Sequence, residues 1–190
     1  MQFSQKFAAL AATAATLASA NSITFVNQDA TQRTVVFTPN DGLPQIPSVV
    51  VPGLNEVKVE FPWQWGGNAY AVLPGAPIVP GMLAEYLFQG GAEHDLTFFD
   101  VSAIVKSTDT NNVKQLFPVS EKYAKEKVVF SGCTVFPCNK AYYHPDDVQT
   151  VATSQVDLIC TLGTPPSYPV ARNVDGESEL VGRKFVLGEF

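Results

Sequence analysis

An all-β fold, an antiparallel sandwich, is predicted by three observations. Short runs rich in β-branched and aromatic residues recur along the chain. Within the clearest run, apolar and polar side chains alternate with the period of two that buries one face of a sheet and wets the other. Most of the 14 prolines and 13 glycines fall between runs, at the spacing of turns. The chain has 190 residues and is 46% hydrophobic, which suffices for one domain with a full core.

Ile23–Asn27 and Thr34–Pro39 are β-branched and aromatic, are split by polar residues, and are expected to form a hairpin. Ser48–Val51 and Asn55–Phe61 follow, with Pro52-Gly53 as the turn between them. Val57, Val59 and Phe61 alternate with Lys58 and Glu60, so this strand has one buried face. Asn68–Leu73 is a strand introduced by Gly66-Gly67. Leu83–Phe88 and Asp95–Val101 are strands separated by Gly90-Gly91. Val128–Ser131 and Gln155–Cys160 complete the strands. Ser120–Lys127 is the helix candidate, with Ser120 as cap and Glu121 in the first turn. From Pro165 to Glu179 the chain is rich in Pro, Gly and charge and is expected to be an extended excursion before a last apolar run, Lys184–Leu187.

Residues 1–20 have the form of a secretory signal. Lys6 supplies a positive start, Phe7–Leu17 an apolar stretch, and Ala18-Ser19-Ala20 a small-residue cleavage site. The apolar stretch is well short of the ~20 residues that span a bilayer. The expected product is one domain, 21–190, secreted and extracellular, without a membrane anchor and monomeric. No Asn-x-Ser/Thr sequon occurs, so no N-glycan is expected. The net charge is −6, and loss of Lys6 makes it one unit more negative. Such a surface repels a phosphate backbone, so no nucleic-acid partner is expected.

The chemistry-bearing residues are sparse. There are two histidines, His94 and His144, and no nucleophile elbow, zinc helix or phosphate loop, so no cofactor or metal is implied. Cys133 and Cys138 have four residues between them and Cys160 lies far downstream. Secretion favours a disulfide, with Cys133–Cys138 the first choice and Cys138–Cys160 the alternative. Cys160 lies in an apolar strand and is expected to be a buried thiol. The noteworthy polar residues are acids beside aromatic strands: Glu85, Asp100, and the pair Asp146-Asp147. Paired carboxylates can serve as general acid and base on glycosides or hold a hard cation. Isolated carboxylates are more often solvated strand or turn residues.

Five segments carry a family resemblance. Leu83-Ala84-Glu85-Tyr86 followed by Thr97-Phe98-Phe99-Asp100-Val101-Ser102 resembles the L-A-E-F and F-Y-D-[VI]-S pattern of thaumatin-like proteins. Ala141-Tyr142-Tyr143-His144-Pro145-Asp146-Asp147 resembles that family's A-Y-S-Y…D-D segment. Ile23-Thr24-Phe25-Val26-Asn27, Trp65-Gly66-Gly67-Asn68-Ala69-Tyr70 and Val156-Asp157-Leu158-Ile159-Cys160 resemble its first strand, its W-S-G-R segment and its last core strand.

The resemblance implies a thaumatin-like, osmotin-type sandwich of the short fungal kind, with the disulfide-rich subdomain largely deleted. It implies an acidic cleft in which Glu85, Asp100 and Asp146 take the places of three family carboxylates. Asn68 stands where the family has its Arg. Val105 stands at the remaining Asp, with Asp109 a substitute only if the loop is rearranged. It supports pairing of Cys133 with Cys138 and a free Cys160. Trp63, Trp65, Tyr70, Tyr86 and Tyr143 are candidate sugar-stacking faces, each with core packing as the competing role. The implied function is binding of cell-wall polysaccharide, β-glucan, rather than catalysis. The alternatives are a weak β-1,3-glucanase with Glu85 as the acid, a metal-assisted DNase, or a non-catalytic secreted effector.

Overall fold

A computed structural model describes residues 21–166. The signal at 1–20 and the apolar run Lys184–Leu187 lie outside the described residues. Eleven strands form two sheets. In chain order they are β1 (Asn21–Asn27), β2 (Arg33–Pro39), β3 (Val49–Val51), β4 (Glu56–Phe61), β5 (Gly66–Val72), β6 (Leu83–Gly90), β7 (Leu96–Ser102), β8 (Val113–Pro118), β9 (Ser131–Gly132), β10 (Val151–Thr153) and β11 (Asp157–Leu162). One sheet has the order β4-β1-β11-β8-β9, the other β10-β7-β6-β5-β2-β3. All pairings are antiparallel except β1 with β11. The fold class is therefore all-β and sandwich-like, as predicted.

The core lies where the alternating apolar faces meet. Val59 and Phe61 of β4 are buried while Lys58 and Glu60 are exposed. Phe25, Phe37 and Phe61 meet edge to face with centroids 5.6–5.7 Å apart, and Phe61 also packs on Trp65 at 5.0 Å. Trp65, fully buried, stacks on Tyr86 at 5.3 Å and 29°. Such contacts add to the area that burial removes from water.

Three local expectations are corrected. First, β1 and β2 form no hairpin, because β1 pairs β4 and β11 while β2 pairs β3 and β5. The link between them is an arch, held by the buried Arg33 guanidinium. That group donates to both carboxylate oxygens of Asp29 (2.7 and 2.8 Å), to Asn27 Oδ1 (2.7 Å), and to the carbonyls of Thr31 and Asn111. For the same reason Pro52-Gly53 turns the chain from one sheet to the other rather than within a hairpin. Second, the helix Ser120–Lys127 is a single 3₁₀ turn, Val119–Glu121, with no buried residue. So short a segment with no apolar face to pack is not stable as a helix, and the Ser120 hydroxyl accepts from Gln155 Nε2 instead of capping. Third, β8 and β10 were not foreseen. Nearly all of β8 is buried, Lys114 included, so it lacks alternation. β10 has only three residues.

Candidate functional site

The outward face of the six-stranded sheet carries a polar row set by register. Thr38 faces Asn68, Asn68 faces Glu85, and Glu85 faces Asp100. Because side chains alternate along a strand, Ala84, Tyr86, Phe99 and Val101 point to the core while Glu85 and Asp100 point away from it. Around this row is a groove of about 320 Å³ lined by Asn40, Gly67, Asn68, Glu85, Tyr86, Leu87, Phe98, Asp100 and Thr150. Gly67 is needed at its floor, since a Cβ there would stand 2.2 Å from the Thr38 carbonyl oxygen.

Asp100 dominates the electrostatics. Its carboxyl is pushed up to about 7, first by burial and second by the neighbouring Glu85 carboxylate. Thr150 Oγ1 donates to Asp100 Oδ2 at 3.1 Å and opposes the rise. The Thr150 hydroxyl is 2.7 Å from Tyr142 Oη, which also accepts from the Thr150 N–H at 3.1 Å. With the Thr150 proton committed to Asp100, the Tyr142 hydroxyl donates to Thr150. Asp100 Oδ1 and Asn68 Oδ1 are buried acceptors that no protein donor reaches. The groove thus holds two buried acceptors without a protein donor, beside the side-chain amides of Asn40 and Asn68.

The candidate residues from the sequence separate into groups. Glu85 and Asp100 are brought together. Asp146 is exposed on the segment before β10 and does not line the groove. Its neighbour Asp147 accepts from the N–H groups of Tyr143 (2.7 Å) and His144 (2.9 Å), which holds its carboxyl below the usual range. Asp109 accepts from Met82 N at 3.0 Å and Asn112 Nδ2 at 2.7 Å, away from the groove. Trp65 is core, with Nε1 donating to the Pro44 carbonyl at 2.9 Å. Tyr70 is buried with Val72 and Leu83. Tyr86 is buried against Trp65 and Phe88, and burial raises its phenol well above the ordinary value. Tyr143 Oη accepts from Cys138 N at 3.1 Å and so braces the disulfide loop. Only Trp63 presents an open ring, 64% exposed. Thr150 and Tyr142, which complete the groove's hydrogen bonds, were missed. Tyr142 stands in the aromatic segment Ala141–Asp147 but nothing local marks its hydroxyl as a partner of Thr150, and Thr150 has no sequence signal.

Cys133 and Cys138 form a disulfide, and Cys160 is a buried free thiol. Among the described residues, no three His, Cys, Asp or Glu side chains gather as a metal site.

No protein-family model matches the chain. The chain is 49% identical over 142 residues to the antigenic protein SchS21 of Stachybotrys chartarum, covering 75% of this chain and 94% of the relative. The chain belongs to the family of antigenic protein SchS21. The crystal structure of the protein elicitor MoHrip2 from Magnaporthe oryzae has a similar fold, with a TM-score of 0.58 and 16% identity, covering 76% of this chain and all of that one. These relatives overturn the thaumatin-like resemblance. Its quoted segments coincide with β1, β5, β6, β7 and β11 and with the Ala141–Asp147 loop, so they carry strand pattern rather than family identity. The idea of a trimmed disulfide-rich subdomain falls with it.

Proposed function

We propose that the chain is a secreted, non-catalytic recognition protein of the elicitor or antigen type, and that its Glu85–Asp100 groove receives a donor-bearing group of a partner. The carrying observation is the pair of orphaned acceptors, Asp100 Oδ1 and Asn68 Oδ1, beside a carboxyl with a strongly raised pKa. Buried acceptors without donors are costly, and an ammonium or guanidinium group would relieve them. Binding a cation would also expel the Asp100 proton. Glu85 and Asp100 are close enough to share a hydrogen bond, closer than the roughly 5–9.5 Å that the two carboxyls of a glycosidase keep across the scissile bond. The names of the relatives support an extracellular role.

The test has two arms. Full-length chain expressed in a fungal host is expected in the medium with Asn21 as its first residue. The purified protein is expected to release no product from β-1,3-glucan or from DNA, with or without EDTA. It is expected to bind a peptide bearing Lys and Arg in calorimetry, and to lose that binding in E85Q/D100N. Turnover that disappears in D100N would make the protein an enzyme. Undiminished binding by the double variant would remove the groove from the account.

A further inference from the structure

The polar row of the groove is closed on one side and open on the other. Along the same outward face, two residues from Glu85 and Asp100, stand Leu83 and Ser102 in one direction and Leu87 and Phe98 in the other. Leu83 packs with Tyr70 and Val72 and is buried, and Ser102 is buried too, so nothing approaches from there. Leu87 is 37% exposed and Phe98 is half-buried, and both line the groove. Glycines hold them low. A Cβ on Gly66 would stand 2.9 Å from Leu87 Cδ1, and one on Gly90 would stand 2.9 Å from both Leu87 Cδ2 and Phe98 Cδ2. The carboxyl pair therefore lies at the closed end of a short track whose open part is apolar.

Three features say what enters the track. The first is reach. Alternate residues of a strand are about 6.8 Å apart, which is about the length of the four-carbon stem of lysine. Methylenes laid on Leu87 and Phe98 put an ammonium at the carboxyls, the way a long cationic side chain divides between apolar and polar ground. The second is the arrangement of oxygens. Asp100 Oδ2 accepts from Thr150, and the Asp100 and Glu85 carboxyls share a hydrogen bond. Neither carboxyl then presents two free oxygens side by side, as the guanidinium fork requires. An ammonium spreads three donors about a point and takes single oxygens, from Glu85 and from the unpartnered Asp100 Oδ1 and Asn68 Oδ1. The third is charge at the open end. The turns there, 40–43 and 90–95, contain Asp41, Glu93 and Asp95, all exposed, and no Lys or Arg. With the net charge of −6 they draw a cation in.

On the reading of the groove as a receptor for a donor-bearing group, we propose that this group is a lysine side chain of a partner protein, its stem on Leu87 and Phe98 and its ammonium at Glu85 and Asp100. Leu87 and Phe98 then set specificity. They recognise the stem, which the ammonium of an amino sugar, attached directly to its ring, does not have.

Amide chemical shifts of the isotope-labelled secreted protein test this at neutral pH. The probes are end-blocked tripeptides with a central lysine, arginine or acetyl-lysine between glycines, and a chitosan trisaccharide. The lysine peptide is expected to shift the amides of Glu85, Leu87, Phe98 and Asp100 and to bind about tenfold more tightly than the arginine peptide. Acetylation is expected to abolish binding, because it removes the charge. F98S and L87S are each expected to weaken the lysine peptide about fivefold by stripping the stem of apolar contact. L87S replaces an exposed side chain and so decides the matter even if F98S fails to fold. Arginine binding as tightly as lysine, or L87S binding lysine as wild type does, overturns the proposal and leaves the groove a general cation receptor. Tighter binding of the trisaccharide than of the lysine peptide also overturns it and makes the partner a polysaccharide. If no cationic probe shifts the groove, or if acetyl-lysine binds as lysine does, the cation-receptor reading falls with it.

Discussion

Replacing Asp100 with Asn is expected to stabilise the protein at pH 8 and to change little at pH 4. In the folded state the Asp100 carboxyl, buried beside Glu85, titrates near 7 against an ordinary 3.8. That gap corresponds to about 4 kcal/mol of folding free energy lost once both states are ionised. The figure is a ceiling. Glu85 shares the repulsion, Thr150 donates to the ionised form, and an Asn amide still needs partners in the groove. A net gain of about 1–2 kcal/mol remains, which is roughly 3–6 °C in thermal midpoint for a domain of this size.

The sign follows from linkage. A group whose folded pKa is raised contributes stability that is fully present below its unfolded pKa and lost as pH rises through the folded one. The wild type should therefore lose this contribution between about pH 4 and pH 7, while D100N does not. Thermal or urea unfolding of both proteins at pH 4, 6 and 8 isolates the effect, since other titrating groups cancel in the difference. A constant difference across the series, or a variant less stable than wild type at pH 8, would falsify the claim that a strained carboxyl pair lines the groove.

D29N should destabilise by about 3 kcal/mol in urea at pH 7, because it strips a buried guanidinium of its carboxylate and leaves only Asn27 and two carbonyls. Asp29 is held at about 2, chiefly by its hydrogen bonds from Arg33. Its lowered pKa means that its contribution is present above pH 3.8 and fades as pH falls through about 2, which acid unfolding of wild type against D29N will show. Ellman titration should find no reactive thiol in the native, unreduced protein and one after denaturation, because Cys160 is buried with its thiol pKa pushed up by burial. A count of three would mean that the disulfide is absent. W65A should lose about 3–5 kcal/mol of stability, whereas W63A should be nearly neutral, since Trp65 is core and Trp63 is exposed.

Much of the fold was legible because strand formation is a local matter of alternation and turn chemistry. Val57, Lys58, Val59, Glu60 and Phe61 announce β4 and its buried face without any partner in view. The Cys133–Cys138 pair was legible for a similar reason, since so short a loop brings its ends together. Which strands pair was not legible. β1 and β2 form an arch because β1 ladders with β4 and the distant β11 while β2 ladders with β3 and β5, and Arg33 braces the link through Asp29, Asn27 and the distant Asn111.

The site divides along the same line. Glu85 and Asp100 stand out in the sequence as acids beside aromatic strands, but alternation within each strand does not say that the two share a face. Only tertiary packing decided that the two stand opposite each other, that Asp146 stands apart, and that Thr150 and Tyr142 complete the groove. The aromatic candidates show the limit most clearly. Trp63 and Trp65 are two residues apart and look alike in sequence, yet one is 64% exposed and the other fully buried. The sequence by itself determined the strand-forming pattern, the acidic balance and the residues available for chemistry, because these are properties of single residues and near neighbours. Register, burial and the identity of the groove's partners came only with the tertiary structure, because they depend on which distant strands share a ladder.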